Sequence, residues 1–374
     1  MSKKILVTGG AGFVGSHLVD TLVAKGHTVR VLDNLDPQVH GKDQCIPLHL
    51  NKECELIKGD VRDKDIFRKA IKGIEVIFHE AAAVGVGQSM YQVEHYMSTN
   101  TMGTAILLDL LINEKHSVEK ILVASSMSIY GEGAYLCMDC GQKEVELRSE
   151  EQLKRQDWEM FCPLCKQKMR AIPTTEEKPL RPTSIYAISK KDQEEMCINI
   201  GIAYRLPTVA LRYFNIYGTR QSLNNPYTGV AAIFSSRLLN KNPPLIFEDG
   251  LQRRDFIHVS DIVRANILCM ERDEANYQIF NVGTGQPKTV LEIANILAER
   301  LGIDIQPEIV NKFRAGDIRH CYSESLKIKE RLGFEPKVKF QDGIGDLINW
   351  VKKQKTIDLV EKARRELEEK GLTG

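Results

Sequence analysis

Thr8-Gly9-Gly10-Ala11-Gly12-Phe13-Val14-Gly15 follows a short apolar run, Ile5-Leu6-Val7, and opens a helical pattern from Phe13 to Ala24. Few local patterns constrain a fold as strongly. A strand that turns into a helix through glycines aims backbone amides and the positive end of a helix dipole at one point, a cradle for a pyrophosphate. Gly10, Gly12 and Gly15 satisfy G-x-G-x-x-G, and Gly9, Gly12 and Gly15 satisfy the shifted G-x-x-G-x-x-G. The glycines alone are a weak signal, but the first third of the chain supplies the context. Thr28–Leu32, Glu55–Ile57, Val76–Phe78 and Ile121–Val123 read as further buried strands, with helical patterns between them, including Thr101 to Leu111. This alternation predicts an α/β protein of the Rossmann type, with a doubly wound parallel sheet.

Asp33 ends the second of these runs. A carboxylate there accepts hydrogen bonds from the adenine ribose hydroxyls and repels a 2′-phosphate. No Arg or Lys follows it immediately, so the expected cofactor is NAD, not NADP. Asp60-Val61 is placed to meet the adenine. Phe13, Val14, Asn34, Ala81 and Ala82 complete the expected NAD contacts.

At 374 residues the chain exceeds the size at which one core usually stops growing, which predicts two domains. We place the NAD-binding domain at 1–215, a smaller substrate-binding domain at 216–350, and a charged C-terminal helix at 351–374. That last segment reads as a solvated surface helix with apolar residues at Ile357, Val360 and Leu367. A net charge of +1 argues against nucleic acid and anionic membranes as partners. No apolar run is long enough to span a bilayer, and the N-terminal one is too short for a secretion signal. The expected location is the cytoplasm, where the nine cysteines would be reduced thiols or metal ligands.

Tyr186 and Lys190 stand four apart in a helical pattern and share one face. A free tyrosine has a pKa near 10, too high for a base at neutral pH. A nearby ammonium and a positive nicotinamide ring would both favour phenolate. A fall to near neutrality corresponds to about 4 kcal/mol. By itself such a pair is an ordinary surface-helix pattern. Here it is accompanied by Ser125-Ser126-Met127-Ser128-Ile129-Tyr130-Gly131 after the fifth strand. Arg212-Tyr213-Phe214-Asn215-Ile216-Tyr217-Gly218, Arg254-Asp255-Phe256-Ile257-His258-Val259 and Arg314-Ala315-Gly316-Asp317 follow in that order.

With the glycine turn, these motifs resemble the extended short-chain dehydrogenases that act on nucleotide sugars, over about residues 3 to 350. The resemblance implies that Ser126 hydrogen-bonds the sugar hydroxyl. Tyr186 would be the acid/base, and Lys190 would lower its pKa and hold the nicotinamide ribose. Asn215, Arg254 and Arg314 would hold the nucleotide and its diphosphate, a task for which arginine forks are suited. Taken singly, either arginine would read as a surface salt bridge. Members of this group begin by oxidising C4 of the sugar. Their dehydratases resemble Thr-Asp-Glu where this chain has Ser126-Met127-Ser128, and their decarboxylases carry Glu at the third place. Without an acid at Met127 or Ser128, what the resemblance leaves is oxidation at C4 and return of hydride to the opposite face, a 4-epimerisation. A homodimer is implied by the same likeness.

Between Ser126 and Tyr186, residues 132–180 are polar and lack a clear period. Cys137, Cys140, Cys162 and Cys165 form C-x2-C-x21-C-x2-C, close to zinc-ribbon spacing. Four thiolates fill a tetrahedral zinc site, so the metal would be structural. Seven acidic residues against four basic ones between 137 and 165 give the wrong sign for phosphate binding. The ribbon is expected at the rim of the sugar pocket or at a subunit interface. Such an insertion most resembles the dTDP-L-rhamnose 4-epimerase branch, whose product is dTDP-6-deoxy-L-talose. Met127 would offer an apolar surface to a 6-methyl group. Cys321 stands where hexose epimerases carry a residue that limits sugar size. UDP-glucose and UDP-glucuronate remain alternative substrates. From another class, a non-catalytic NAD-binding partner protein that docks through its ribbon is the competing reading.

Overall fold

A computed structural model of the chain describes residues 2–41 and 43–374. Residues 1 and 42 of the expected first domain lie outside the described residues.

The glycine turn joins β1 (Lys4–Thr8) to α1 (Phe13–Ala24), and β2 (Thr28–Asp33), β3 (Glu55–Lys58), β4 (Val76–His79) and β5 (Lys120–Ser126) follow. They form a seven-stranded parallel sheet in the order Ile279–Val282, Thr208–Tyr213, β5, β4, β1, β2, β3. Its strands read as unbroken apolar runs because helices cover both faces. Side chains alternate along β1: Ile5 and Val7 join the core with Leu18, Leu22 and Val31, whereas Leu6 joins Phe67, Ile77 and Leu107 on the other face. Each such side chain contributes about 1.5–3 kcal/mol through burial.

The chain crosses the expected division at residue 216. Ile279–Val282 pairs in parallel with Ala210–Tyr213, and Ile262 and Ile328 pack into the sheet's first core. Without that strand, Thr208–Tyr213 would be an open sheet edge. A second layer is built on the strands Asn215–Tyr217, Arg253–His258 and Pro287–Thr289 and the helices Val230–Leu239, Val290–Leu301 and Phe340–Val351. Thr289 and Glu292 close a capping box at the start of the Val290–Leu301 helix.

The segment without a clear period holds three strands, Ala134–Cys137 flanked by Gly141–Lys143 and Arg170–Ile172, each too short to show alternation. Tyr135, Val145, Met160 and Met169 give it a small core of its own. The C-terminal segment contains the helix Val360–Glu369, whose Ala363 and Leu367 are buried. A solvated helix therefore describes its outer face only. Among the described residues, no helix is long and apolar enough to cross a membrane.

Candidate active site

Ligands in open parallel sheets lie beyond the carboxyl ends of the strands, where neighbouring connections diverge; here that is between β1 and β4. Gly9 adopts φ +68°, and a Cβ there would stand 2.9 Å from the backbone of Ala81. A Cβ on Gly15 would collide with the carbonyl oxygen of Gly9. The turn therefore fits a helix start pressed directly against β1. Gly12 caps α1, followed by Phe13 and Val14, which remain partly exposed.

Asp33 accepts from the amides of Ala11 (3.0 Å) and Leu35 (2.9 Å), which fixes its carboxylate beside the turn. Asn34 donates to Asp60 at 3.2 Å. Burial opposes charge on Asp60, but hydrogen bonds from Arg62 hold it down to about 2. Val61 lies beneath Gly103, and Ala81 donates to the hydroxyl of Thr8 at 3.2 Å, with the partly exposed Ala82 next in the chain. One neighbour escaped the sequence reading. His40 Nε2 stands 3.7 Å from Asp33, and burial lowers its pKa, so it faces Asp33 as a neutral ring and offers a 2′-phosphate no fixed charge.

Ser126 ends β5, and Tyr186 and Lys190 lie one turn apart on the helix Ile185–Tyr204, which Ser184 caps. Ser128 donates to Ser126 Oγ at 2.9 Å, and Ser126 faces Tyr186. Burial pushes the Tyr186 phenol above its ordinary value, and Ser126 pulls it down. The expected direct lowering by Lys190 does not dominate. Its ammonium donates instead to Gln193 Oε1 at 2.8 Å, and burial depresses its own pKa to about 8. From Gln193 a relay continues through Thr104 (2.7 Å) and His79 (3.0 Å) to Thr8 (2.9 Å) on β1.

Two further polar residues went unread because their partners lie far along the chain. Asn100 bonds both backbone groups of Ala83 and the hydroxyl of Ser189. Glu80 accepts from Tyr213 at 2.9 Å, and burial raises its pKa to about 7.

On the facing layer, Asn215 has a buried Oδ1 without a partner among the described residues. Arg254 donates to the carbonyls of Ile318 (2.6 Å) and Arg319 (2.9 Å). Arg314 lies over the ring of Phe247 at 4.6 Å and donates to Asp317 at 2.8 Å. Met127 and Cys321 are both buried, in one apolar cluster with Tyr130, Phe214 and Ile318.

The thiols of Cys137, Cys140, Cys162 and Cys165 lie within 4.8 Å of one another, with Cys137 and Cys165 at 3.4 Å. Tetrahedral zinc with bonds of about 2.3 Å holds its sulfurs roughly 3.8 Å apart, so the donor set fits such an ion. The amide of Cys165 lowers the Cys162 thiol, whereas the neighbouring thiols raise Cys140. The ribbon packs on its own chain. Glu132, just before it, accepts from the amides of Arg319 (2.7 Å) and His320 (3.3 Å), and Tyr322 donates to the carbonyl of Ala171 at 3.0 Å. Arg148 and Glu159 of the ribbon bond Glu248 (2.9 Å) and Arg319 (2.8 Å) in a cluster with little access to water.

A glycine-cradled dinucleotide turn, a Ser–Tyr pair with a buried lysine, and a facing layer that carries arginines define a dinucleotide-dependent enzyme of the short-chain dehydrogenase class. Comparison with known proteins agrees. Residues 5–152 match the NAD dependent epimerase/dehydratase family, and residues 168–347 match the GDP-mannose 4,6 dehydratase family. The dTDP-L-rhamnose 4-epimerase of Burkholderia thailandensis is 34% identical over 93% of this chain and 95% of its own. The UDP-glucose 4-epimerase of Thermotoga maritima, solved with UDP-glucose, superposes with a TM-score of 0.77. It is 32% identical and covers 94% of this chain and 99% of that one. The Thermus thermophilus UDP-glucose 4-epimerase, solved with NAD, gives 0.72 at 31% identity, over 94% and 100%. The chain belongs to the extended short-chain dehydrogenase/reductase family of NAD-dependent nucleotide-sugar epimerases.

Proposed function

We propose that this protein is a nucleotide-sugar 4-epimerase that converts dTDP-L-rhamnose to dTDP-6-deoxy-L-talose. The observation that carries the 4-epimerase reading is the placement of Ser126 beside Tyr186, in a turn where Met127 and Ser128 supply no carboxyl group. Tyr186 takes the proton from O4, and Ser126 steadies that oxygen. Lys190 supplies a buried positive charge beside them. Asn215, with its unpartnered oxygen, joins Arg254 and Arg314 in holding the nucleotide diphosphate. The glycine turn, Asp33, Asn34, Asp60, Val61, Ala81 and Ala82 hold NAD. When bound, that cofactor accepts the C4 hydrogen with its electron pair and gives it back. Tyr186 then returns its proton to the oxygen of the turned sugar. No residue in the Ser126–Ser128 turn can carry out the later proton transfers of a dehydratase.

The choice of sugar rests on the dTDP-L-rhamnose relative and on the four-cysteine insertion. UDP-glucose is the second reading, favoured by the Thermotoga maritima likeness. Incubation with a panel of nucleotide sugars, with NMR detection of inversion at C4, separates them. Turnover of UDP-glucose without dTDP-L-rhamnose would overturn the first reading, and no inversion of any sugar would overturn both.

The four thiols would hold one structural zinc. Elemental analysis of protein prepared without chelator tests this, and four freely titrating thiols without metal would refute it. The exposed Met102, Ile188 and Ile202, on neighbouring helices, support a homodimer. Light scattering should find dimers that Ile202→Glu turns into monomers; a wild-type monomer would exclude it.

A further inference from the structure

Residues 372–374 run antiparallel to the segment that carries Arg314. Phe313 and Gly374 exchange backbone bonds at 2.9 and 3.1 Å, and Ala315 donates to Leu372 at 2.9 Å. The helix before them reaches across to the nucleotide-binding layer. The hydroxyls of Tyr91 and Tyr227 lie 2.8 and 2.9 Å from Glu366 Oε2 and 2.5 Å from each other, three contacts that share the two phenolic protons. Leu367 approaches Gly87.

Tyr91 and Tyr227 come from the two layers, and Tyr227 is linked to Tyr186 through Gly85 and Tyr96. A Cβ on Gly85 would stand 2.8 Å from the Tyr96 hydroxyl and 2.9 Å from Tyr227 Cβ, and the Tyr96 ring meets that of Tyr186 edge-on at 6.4 Å. Asn225, two residues before Tyr227, accepts from Gln38 at 3.1 Å in the loop after β2. A single carboxylate thus contacts side chains of both layers, while the segment after it braces the backbone of Arg314.

We infer that Glu366 is a positioning residue of the substrate site and that residues 358–374 form a strap that retains the nucleotide sugar through its 4-keto stage. The inference rests on the 4-epimerase reading. Retention has a chemical purpose in that reaction. After the C4 hydrogen has passed to NAD as hydride and the O4 proton to Tyr186, the sugar is a neutral ketone. It must turn over without leaving, or its two electrons stay on the protein as NADH.

With dTDP-L-rhamnose as probe, Glu366→Ala is expected to raise KM about tenfold through loss of its contacts to Tyr91 and Tyr227, with kcat little changed and NAD retained. Glu366→Gln keeps an accepting oxygen and should restore KM. Deletion of residues 356–374 should in addition release 4-keto sugar into solution, with one bound NADH accumulating per ketone, a readout that general destabilisation would not produce. Should the deletion fail to fold, the Ala and Gln pair still decides. Wild-type KM in Glu366→Ala, with no ketone released, overturns the inference. An intact protein that inverts no nucleotide sugar at C4 instead overturns the reading beneath it.

Discussion

In the proposed reaction, Tyr186 is the residue on which the chemistry turns. Its phenol is raised by burial and eased by Ser126, so it stays protonated at neutral pH. Tyr186→Phe removes the proton carrier and leaves the glycine turn untouched. We expect a loss of roughly 100- to 10,000-fold in turnover with NAD still bound, checked by kinetics and by cofactor content. Near-normal turnover would exclude the mechanism. Lys190 adds a pH dependence. Burial lowers its pKa to about 8 and Glu80 pulls it back up, so the ammonium is lost as pH rises through that value and the rate should fall there. Glu80 itself, raised to about 7, carries its charge on this limb. Glu80→Gln removes the upward pull, and the alkaline limb of the pH–rate profile should move to lower pH. A limb that stays in place would show that Lys190 does not set it.

The β1–α1 turn decides which cofactor is held. Asp33 is fixed by two amides beside the neutral His40. A 2′-phosphate would meet a carboxylate and no compensating cation. Calorimetry should find NAD bound far more tightly than NADP, and equal affinities would contradict the assignment. This element was the most legible part of the sequence. Its strand, glycines, helix and Asp33 are local, and each obeys a short-range rule. The Tyr186–Lys190 face was legible for the same reason. Glu80, Asn100 and His40 were not, because their roles come from partners distant in sequence: Tyr213, the Ala83 backbone and the β2 terminus. The strands of the insertion were hidden by their length, although the cysteine spacing marked the segment. The tail was misjudged in part because its apolar contacts, such as Leu367 against Gly87, need both layers in place.

On the scale of the whole molecule, the ribbon and the substrate layer form one mechanical unit. Arg319 is buried between Glu159 of the ribbon and Glu248 and Asp249 of the substrate layer, at 2.8, 3.0 and 2.7 Å. Its carbonyl and that of Ile318 in turn receive Arg254. Glu159 stands three residues before Cys162, so whatever orders the thiols also orders this cluster. Structural zinc contributes roughly 10–16 kcal/mol in small finger peptides, enough to fold a segment with so small a core. Cys162→Ser should therefore do more than lose the metal. It frees Glu159, so Arg319 loses one of its three carboxylate partners and keeps Glu248 and Asp249. The loss passes to Arg254 through the 318–319 backbone, but it has no such path to the Gly9–Gly15 turn on the opposite layer. The expected outcome is faster hydrogen exchange in residues 134–172 and 317–322, weaker binding of dTDP-L-rhamnose, and NAD affinity close to wild type. Equal losses of sugar and cofactor would mean that the ribbon supports the fold as a whole and does not act through Arg254.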